Sequence, residues 1–286
     1  MILRAPEITI PTGLNEWRGI SKTGIPWEVH RGDASAVLKA LEANRVDCVV
    51  TSPPYYSQRD YHVEGQIGLE PTIDGYVNAV ASTMIELRRV LKPTGLAFLT
   101  LGDTYYSAKG EPKGTDRKNQ ARRFGLRAVD KSGLGVARKT AIGIPWRIAI
   151  RMISDGWTLR SAIVWQRDKA VPEPTAQDRP WRTYEFIFMF SKSPKYYFNR
   201  KALGTEQDIW LIPAPSKVNA VHFATFPERL VERCLGIGCP IGGVVLDPFA
   251  GTGTVLRVAL RHKSPAIGID LNQQYCELMT TSLKEC

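Results

Sequence analysis

Short apolar runs alternate along this chain with stretches in which apolar residues recur at helical spacing. Trp27-Glu28-Val29-His30 reads as a short strand, followed by a turn at Gly32-Asp33 and a helix with Val37, Leu38 and Leu41 on one face. Asp47-Cys48-Val49-Val50 is a buried strand that runs straight into Thr51-Ser52-Pro53-Pro54-Tyr55-Tyr56. Residues 76–91 carry Val80, Met84, Leu87 and Leu91 on one side, which predicts a helix ended by a Lys92-Pro93-Thr94-Gly95 turn. Leu96–Leu101 is the next buried strand, closed by Gly102-Asp103. Further on, the pattern predicts a helix at 145–153, strands at 162–165 and 186–190, and a helix at 227–235. A strand at 244–246, a helix at 254–261, a strand at 266–269 and a helix from Gln273 complete it. Helices alternating with apolar strands predict an α/β fold with a doubly wound, mostly parallel sheet.

Two stretches break the alternation. Residues 1–26 are rich in Pro, Gly and Thr and read as an irregular arm. Residues 104–140 are rich in Gly, Lys and Arg with no apolar face, and read as a basic loop. A short variable segment is expected at about 198–210. The whole chain, 1–286, is read as one domain carrying the basic loop and the variable segment.

Charge adds to this picture. Lys and Arg number 38 against 28 Asp and Glu, a formal net charge of +10 concentrated in the basic loop. That excess fits a polyanionic partner, and Lys118, Arg122, Arg123 and Arg127 are the candidate phosphate contacts. The five cysteines show no paired spacing and no CxxC, so no metal site is expected and the thiols read as reduced, in a cytoplasm. No run is long enough to span a bilayer, and the N-terminus lacks the apolar core of a signal peptide.

The chemistry begins at Asp247-Pro248-Phe249-Ala250-Gly251-Thr252-Gly253-Thr254. A strand, two glycines, a helix, and Asp270 at the end of the following strand form a nucleotide-binding layout. The glycines permit a tight turn, and Asp270 can accept hydrogen bonds from two ribose hydroxyls. A dinucleotide fingerprint would need a third glycine where Leu256 stands. Only about 16 residues follow Asp270, enough for one helix, so the other strands of a doubly wound sheet must come from upstream. The expected order is therefore circularly permuted, with the nucleotide-binding half C-terminal.

From Gly32-Asp33 to the last helix, these motifs in this order resemble the β group of DNA amino-methyltransferases. The resemblance implies a Rossmann-like methyltransferase fold and S-adenosylmethionine as methyl donor. It implies that Asp247, Phe249, Gly251 and Gly253, with Thr254 beside them, line the methionine and ribose part of the donor. Phe226 and Pro227 would border its methionine end, Asp270 would hold the ribose, and Asp33 would approach the adenine. Thr252 and Val255 depart from the residues frequent there, without removing a needed donor or acceptor. The implied partner is double-stranded DNA in a bacterial, archaeal or phage setting. A cognate restriction endonuclease and a homodimer stay open.

Within that resemblance, Ser52, Pro53, Pro54 and Tyr55 are the catalytic candidates. An exocyclic amine is a poor nucleophile because its lone pair is delocalised into the ring. Two acceptors, the Ser52 hydroxyl and the Pro53 carbonyl, can draw it out of conjugation. Consecutive prolines stiffen the turn that carries them, and Tyr55 offers a face for a base flipped from the duplex. Carbon-5 methylation would need an activated thiolate, and Cys239 precedes its proline where that chemistry has it follow one. In the family, Ser at the first motif position goes mostly with cytosine N4, and Asp or Asn with adenine N6. Cytosine N4 is the expected target, with adenine N6 as the alternative. Methylation of RNA or of a glutamine amide is a weaker rival, since those relatives put the donor motif first and begin the catalytic motif with Asn. An inactive DNA-binding module is a further rival. Trp165-Gln166-Arg167 and Arg179-Pro180-x-x-x-Tyr184-Glu185 match stretches near the flipped base or DNA in relatives, which makes Arg167 a DNA-binding candidate.

Overall fold

The computed structural model describes residues 16–106, 133–167, 176–213 and 227–286. Among them a nine-stranded sheet forms the centre. In chain order its strands are β1 (Glu16–Ile20), β2 (Pro26–Arg31), β3 (Val46–Thr51), β4 (Leu91–Leu101), β5 (Thr158–Gln166), β6 (Tyr184–Ser191), β7 (Ile209–Leu211), β8 (Val245–Asp247) and β9 (Ala266–Asp270). The helices are α1 (Ala34–Ala40), α2 (Ile73–Val90), α3 (Ile144–Ser154), α4 (Arg200–Leu203), α5 (Glu228–Gly238), α6 (Thr254–Arg261) and α7 (Gln273–Glu285).

Across the sheet the strands lie in the order β1-β2-β9-β8-β3-β4-β6-β5-β7. The run β2-β9-β8-β3-β4 is parallel, whereas β6 is antiparallel to both its neighbours. The expected permutation is present in this order. β8 and β9, far along the chain, occupy the slot between the early strands β2 and β3.

Alternation along each strand feeds two cores. Val49, Ala97, Leu99, Phe188, Leu246 and Ile267 face one side, where α1, α2 and α3 cover them. Cys48, Val50, Leu96, Phe98, Ile187 and Val245 face the other side, under α5, α6 and α7. Helices on both faces explain why the central strands read as continuous apolar runs. All five cysteines are free, and Cys48 is a small core residue of this second layer. No described helix is long and apolar enough to cross a membrane.

Some expectations change. The end of the supposed irregular arm, residues 16–20, is β1, an edge strand paired antiparallel with β2. Its pattern is too short and too half-buried to show as a periodicity. Helix α2 begins at Ile73, three residues before the apolar stripe, because the Thr72 side chain caps it by accepting from Gly75 N at 3.0 Å. Residues 92–95 are an excursion within β4 rather than a separate turn. Val46 pairs with Leu91 and Cys48 with Leu96, so the intervening β4 residues bulge out of the ladder. The variable segment at 198–210 contains α4 and part of β7.

Candidate active site

In a parallel sheet every strand presents its carboxyl end on the same edge, and ligands collect where the winding reverses. Here the winding reverses between β8 and β3, since β8 leads to β9 on one side and β3 to β4 on the other. The four sequence motifs all stand at that edge. Gly32-Asp33 follows β2, Ser52 follows β3, Asp247 ends β8 and Asp270 ends β9.

The two principal motifs touch. Thr51 Oγ1 donates to Asp247 Oδ1 at 2.6 Å, in a buried contact between residues 196 positions apart. Phe249 N donates to the same oxygen at 3.0 Å. Hydrogen bonds of this kind contribute on the order of 1 kcal/mol each. Asp247 is 2% exposed, and burial pushes its carboxyl up to about 7 against the lowering effect of Thr51 and Phe249 N. It stands behind the site and shapes the turn that follows it.

A cleft opens in front of this turn. Its walls include Asp33, Ser52, Pro54, Phe249, Gly251 and Asp270, all anticipated. Asp270 Oδ2 accepts from Gly251 N and Oδ1 from Asn272 N, both at 2.8 Å. Burial raises its carboxyl to about 6. Asp33 caps α1, its Oδ1 accepting from Ala36 N at 2.9 Å.

The two motif glycines do different work. Both have left-handed backbones, at φ 53° for Gly251 and 83° for Gly253. A Cβ on Gly251 would meet nothing within 4 Å, because it would point into open space. A Cβ on Gly253 would lie 2.5 Å from Met279 Cγ, so Gly253 lets α7 pack against the turn. Gly253 and Thr254 are not among the cleft walls, while Thr252 is. The Thr254 hydroxyl accepts from Arg257 at 3.2 Å. Pro227 stands at the N-terminus of α5. Phe226, Lys118, Arg122, Arg123 and Arg127 lie outside the described residues.

The Ser52–Tyr55 loop is held at several points. Tyr76 of α2 donates its hydroxyl to the Pro54 carbonyl at 2.8 Å. That engages the Pro54 oxygen and keeps Pro53 as the carbonyl candidate. Pro53 is itself buried. Ser57 N closes the following loop by donating to Gly68 O at 2.7 Å. Tyr55 donates its hydroxyl to Glu185 Oε2 at 2.6 Å. Burial, then the Glu185 charge, pushes the phenol well above its usual range, so it stays protonated. Arg167 pairs with Glu185 Oε1 at 3.3 Å and donates to Arg182 O at 3.2 Å. Its guanidinium is thus turned toward protein groups at the site.

Several site residues carried no signal in the sequence. Arg59, Tyr61, Gln66 and Tyr275 line the cleft. Tyr61 and Tyr275 meet edge to face at 6.4 Å between ring centres. Gln66 stitches residues 59–66 by accepting from Tyr61 N at 2.7 Å and donating to Arg59 O at 3.1 Å. These contacts arise from a loop and a helix start that have no marked spacing.

The donor set fits S-adenosylmethionine. Buried carboxylate oxygens at a strand end suit hydroxyl donors, aromatic walls suit a purine, and the empty space at Gly251 allows close approach of the backbone.

Comparisons with known proteins agree. The model of a family described as DNA methylase (N6_N4_Mtase) matches residues 46–281. The Type II methyltransferase M.Cfr9I of Citrobacter freundii is 39% identical over 262 residues, covering 88% of this chain and 86% of its own. M.SmaI of Serratia marcescens is 37% identical over 261 residues, covering 86% and 87%. Among solved structures, the PvuII DNA methyltransferase (cytosine-N4-specific) shares the fold with a TM-score of 0.69 at 19% identity, covering 91% of this chain and 86% of its own. The S-adenosyl-L-methionine complex of TTHA0409 from Thermus thermophilus gives 0.62 at 25% identity over 89% and 92%.

Proposed function

The chain belongs to the N6/N4 DNA methylase family, and we propose that within it the enzyme methylates the exocyclic N4 amine of a cytosine flipped out of double-stranded DNA. Its methyl donor is S-adenosylmethionine, which supplies an electrophilic sulfonium methyl when bound. The observation that carries the proposal is the junction at the sheet edge. Thr51, the residue before the Ser52-Pro53-Pro54-Tyr55 loop, is hydrogen-bonded to Asp247 of the donor turn.

From there the roles follow. Asp270 would accept from ribose hydroxyls, Asp33 would approach the adenine, and Phe249 and Gly251 would border the donor. The Ser52 hydroxyl and the Pro53 carbonyl would accept hydrogen bonds from the two amine N–H groups, turning the nitrogen lone pair out of the ring. Tyr76 keeps the loop from drifting, and Tyr55 provides a face for the base. Rate comes mainly from this alignment, because a well-oriented pair reacts as if at very high effective concentration. The basic segment, through Lys118, Arg122, Arg123 and Arg127, holds DNA phosphates, which position the duplex without reading its sequence. A cognate endonuclease fits the Type II setting of the relatives, and the bacterial cytoplasm is the place of action.

The choice of cytosine rests on Ser52 and is supported by the cytosine-N4 assignment of the PvuII enzyme, which has the same fold. DNA methylated by the purified protein is expected to yield N4-methylcytosine on digestion and mass spectrometry. N6-methyladenine alone would move the target to adenine, whose amine can use the same acceptors.

Donor binding should depend on pH through Asp270. Protonation converts a carboxylate acceptor into a donor, so affinity should fall as pH drops through about 6. Asp270→Asn should reduce that dependence to whatever part Asp247, raised to about 7, contributes through the turn, and Asp270→Ala should weaken binding by about 1.5–3 kcal/mol at neutral pH. Calorimetry at pH 5 and 7.5 reads both. The same affinity at the two pH values, or in the alanine variant, refutes the ribose role. The sign for stability is opposite. A carboxyl raised in the fold stabilises most below its unfolded value, and that contribution is lost as pH rises through about 6.

A further inference from the structure

Tyrosine has two rotatable side-chain bonds, and a ring that must receive a base works best when its plane is fixed beforehand. Two features fix Tyr55. Below the ring lies Gly102, the residue just after β4, where an added Cβ would come within 2.7 Å of Tyr55 Cε2 and 3.4 Å of Glu185 Cδ. At its tip, the phenol is 2.6 Å from Glu185 Oε2, the length of a hydrogen bond to a charged acceptor.

Glu185 is itself well anchored. It sits near the start of β6, opposite Trp165 of β5, and the next residue, Phe186, pairs with Leu101 of β4. Its side chain is 13% exposed, and its second oxygen meets Arg167. Arg167 is tied in turn through its backbone N–H to Thr183 O at 2.8 Å and through Nη2 to Arg182 O. A continuous chain of polar contacts thus runs from the residues before β6 to the loop after β3, passing over β4. An ion pair serving stability alone would have no need to reach Tyr55.

We propose that Glu185 is a positioning residue of the methyl-transfer site, acting through the Tyr55 hydroxyl to fix the ring against which the flipped base lies, with Arg167 holding Glu185 for that task. This rests on the assignment of Tyr55 to the reaction site. It predicts that removing the carboxylate and removing the phenol oxygen produce one and the same defect.

The test is a double-mutant cycle on the full chain, read as methyl transfer from labelled S-adenosylmethionine to unmodified plasmid DNA, with donor Kd measured alongside. Glu185→Ala and Tyr55→Phe should each lower kcat about tenfold, the scale of one charge-assisted hydrogen bond. Donor Kd should stay at the wild-type value in both. The double variant should be no slower than either single, since both remove the same contact. Glu185→Gln should recover part of the rate, because an amide oxygen also accepts from the phenol. The proposal is overturned if Glu185→Ala leaves kcat unchanged, or if the two losses multiply to about a hundredfold. Should Glu185→Ala fail to fold, the cycle with Glu185→Gln and Tyr55→Phe decides on the same criterion. Tyr55→Ala with wild-type kcat would instead refute the site assignment itself.

Discussion

Replacing Gly102 with alanine is expected to lower turnover on the order of a hundredfold while leaving donor affinity unchanged. The added methyl would stand 2.7 Å from Tyr55 Cε2, well inside contact distance. The backbone has little room to retreat, because the preceding residue, Leu101, is paired with Phe186 and Leu99 with both Thr51 and Phe188. The aromatic ring must therefore move, and a displacement near 1 Å at a reacting centre costs about two orders of magnitude. The cleft proposed for the donor does not include Gly102. Steady-state kinetics with calorimetric donor binding checks both halves. Wild-type turnover in Gly102→Ala would show that the ring angle is immaterial.

Ser52→Ala should have an effect of similar size by a different route. It deletes one of the two acceptors proposed for the amine, and losing a preorganised polar contact to the transition state costs about 10²–10³ in kcat. The loop itself should persist, since the Tyr76–Pro54 and Ser57–Gly68 contacts do not involve the Ser52 side chain. Single-turnover methylation isolates the chemical step from product release. A rate within a factor of about two of wild type would remove Ser52 from the chemistry.

The sequence was informative wherever a strand ends in punctuation. Asp33, Ser52, Asp247 and Asp270 each follow or close an apolar run, and parallel pairing carries all four to one edge. The central layers were legible because strands covered on both faces are apolar throughout. What escaped depends on contacts across the sheet. The stretch ending in Glu185 resembled one near the base, but its bond to Tyr55, 130 positions away, was not legible, and Gly102 looks like the end of a strand until Tyr55 is placed above it. Gly253 shows the same limit from the other side. Its motif points to a ligand, but the atom that excludes a side chain there belongs to Met279. β1 stayed hidden because an edge strand has only one partner to impose a pattern.

The order of strands also governs how a nascent chain reaches this structure. β2 and β3 leave the ribosome early but become neighbours of β9 and β8, not of each other. The Thr51–Asp247 bond alone spans 196 positions, about 10–40 s of synthesis at about 5–20 residues per second. Until the later pair of strands arrives, two apolar edges wait unpaired in the middle of the future sheet. Such long-range closure slows folding and leaves interim surface for chaperones or aggregation. The strands that shape the donor cleft are therefore also the keystone of assembly. A chain that lacks them has no strands to place between β2 and β3, so the proposed donor cleft and the centre of the sheet depend on the same late segment.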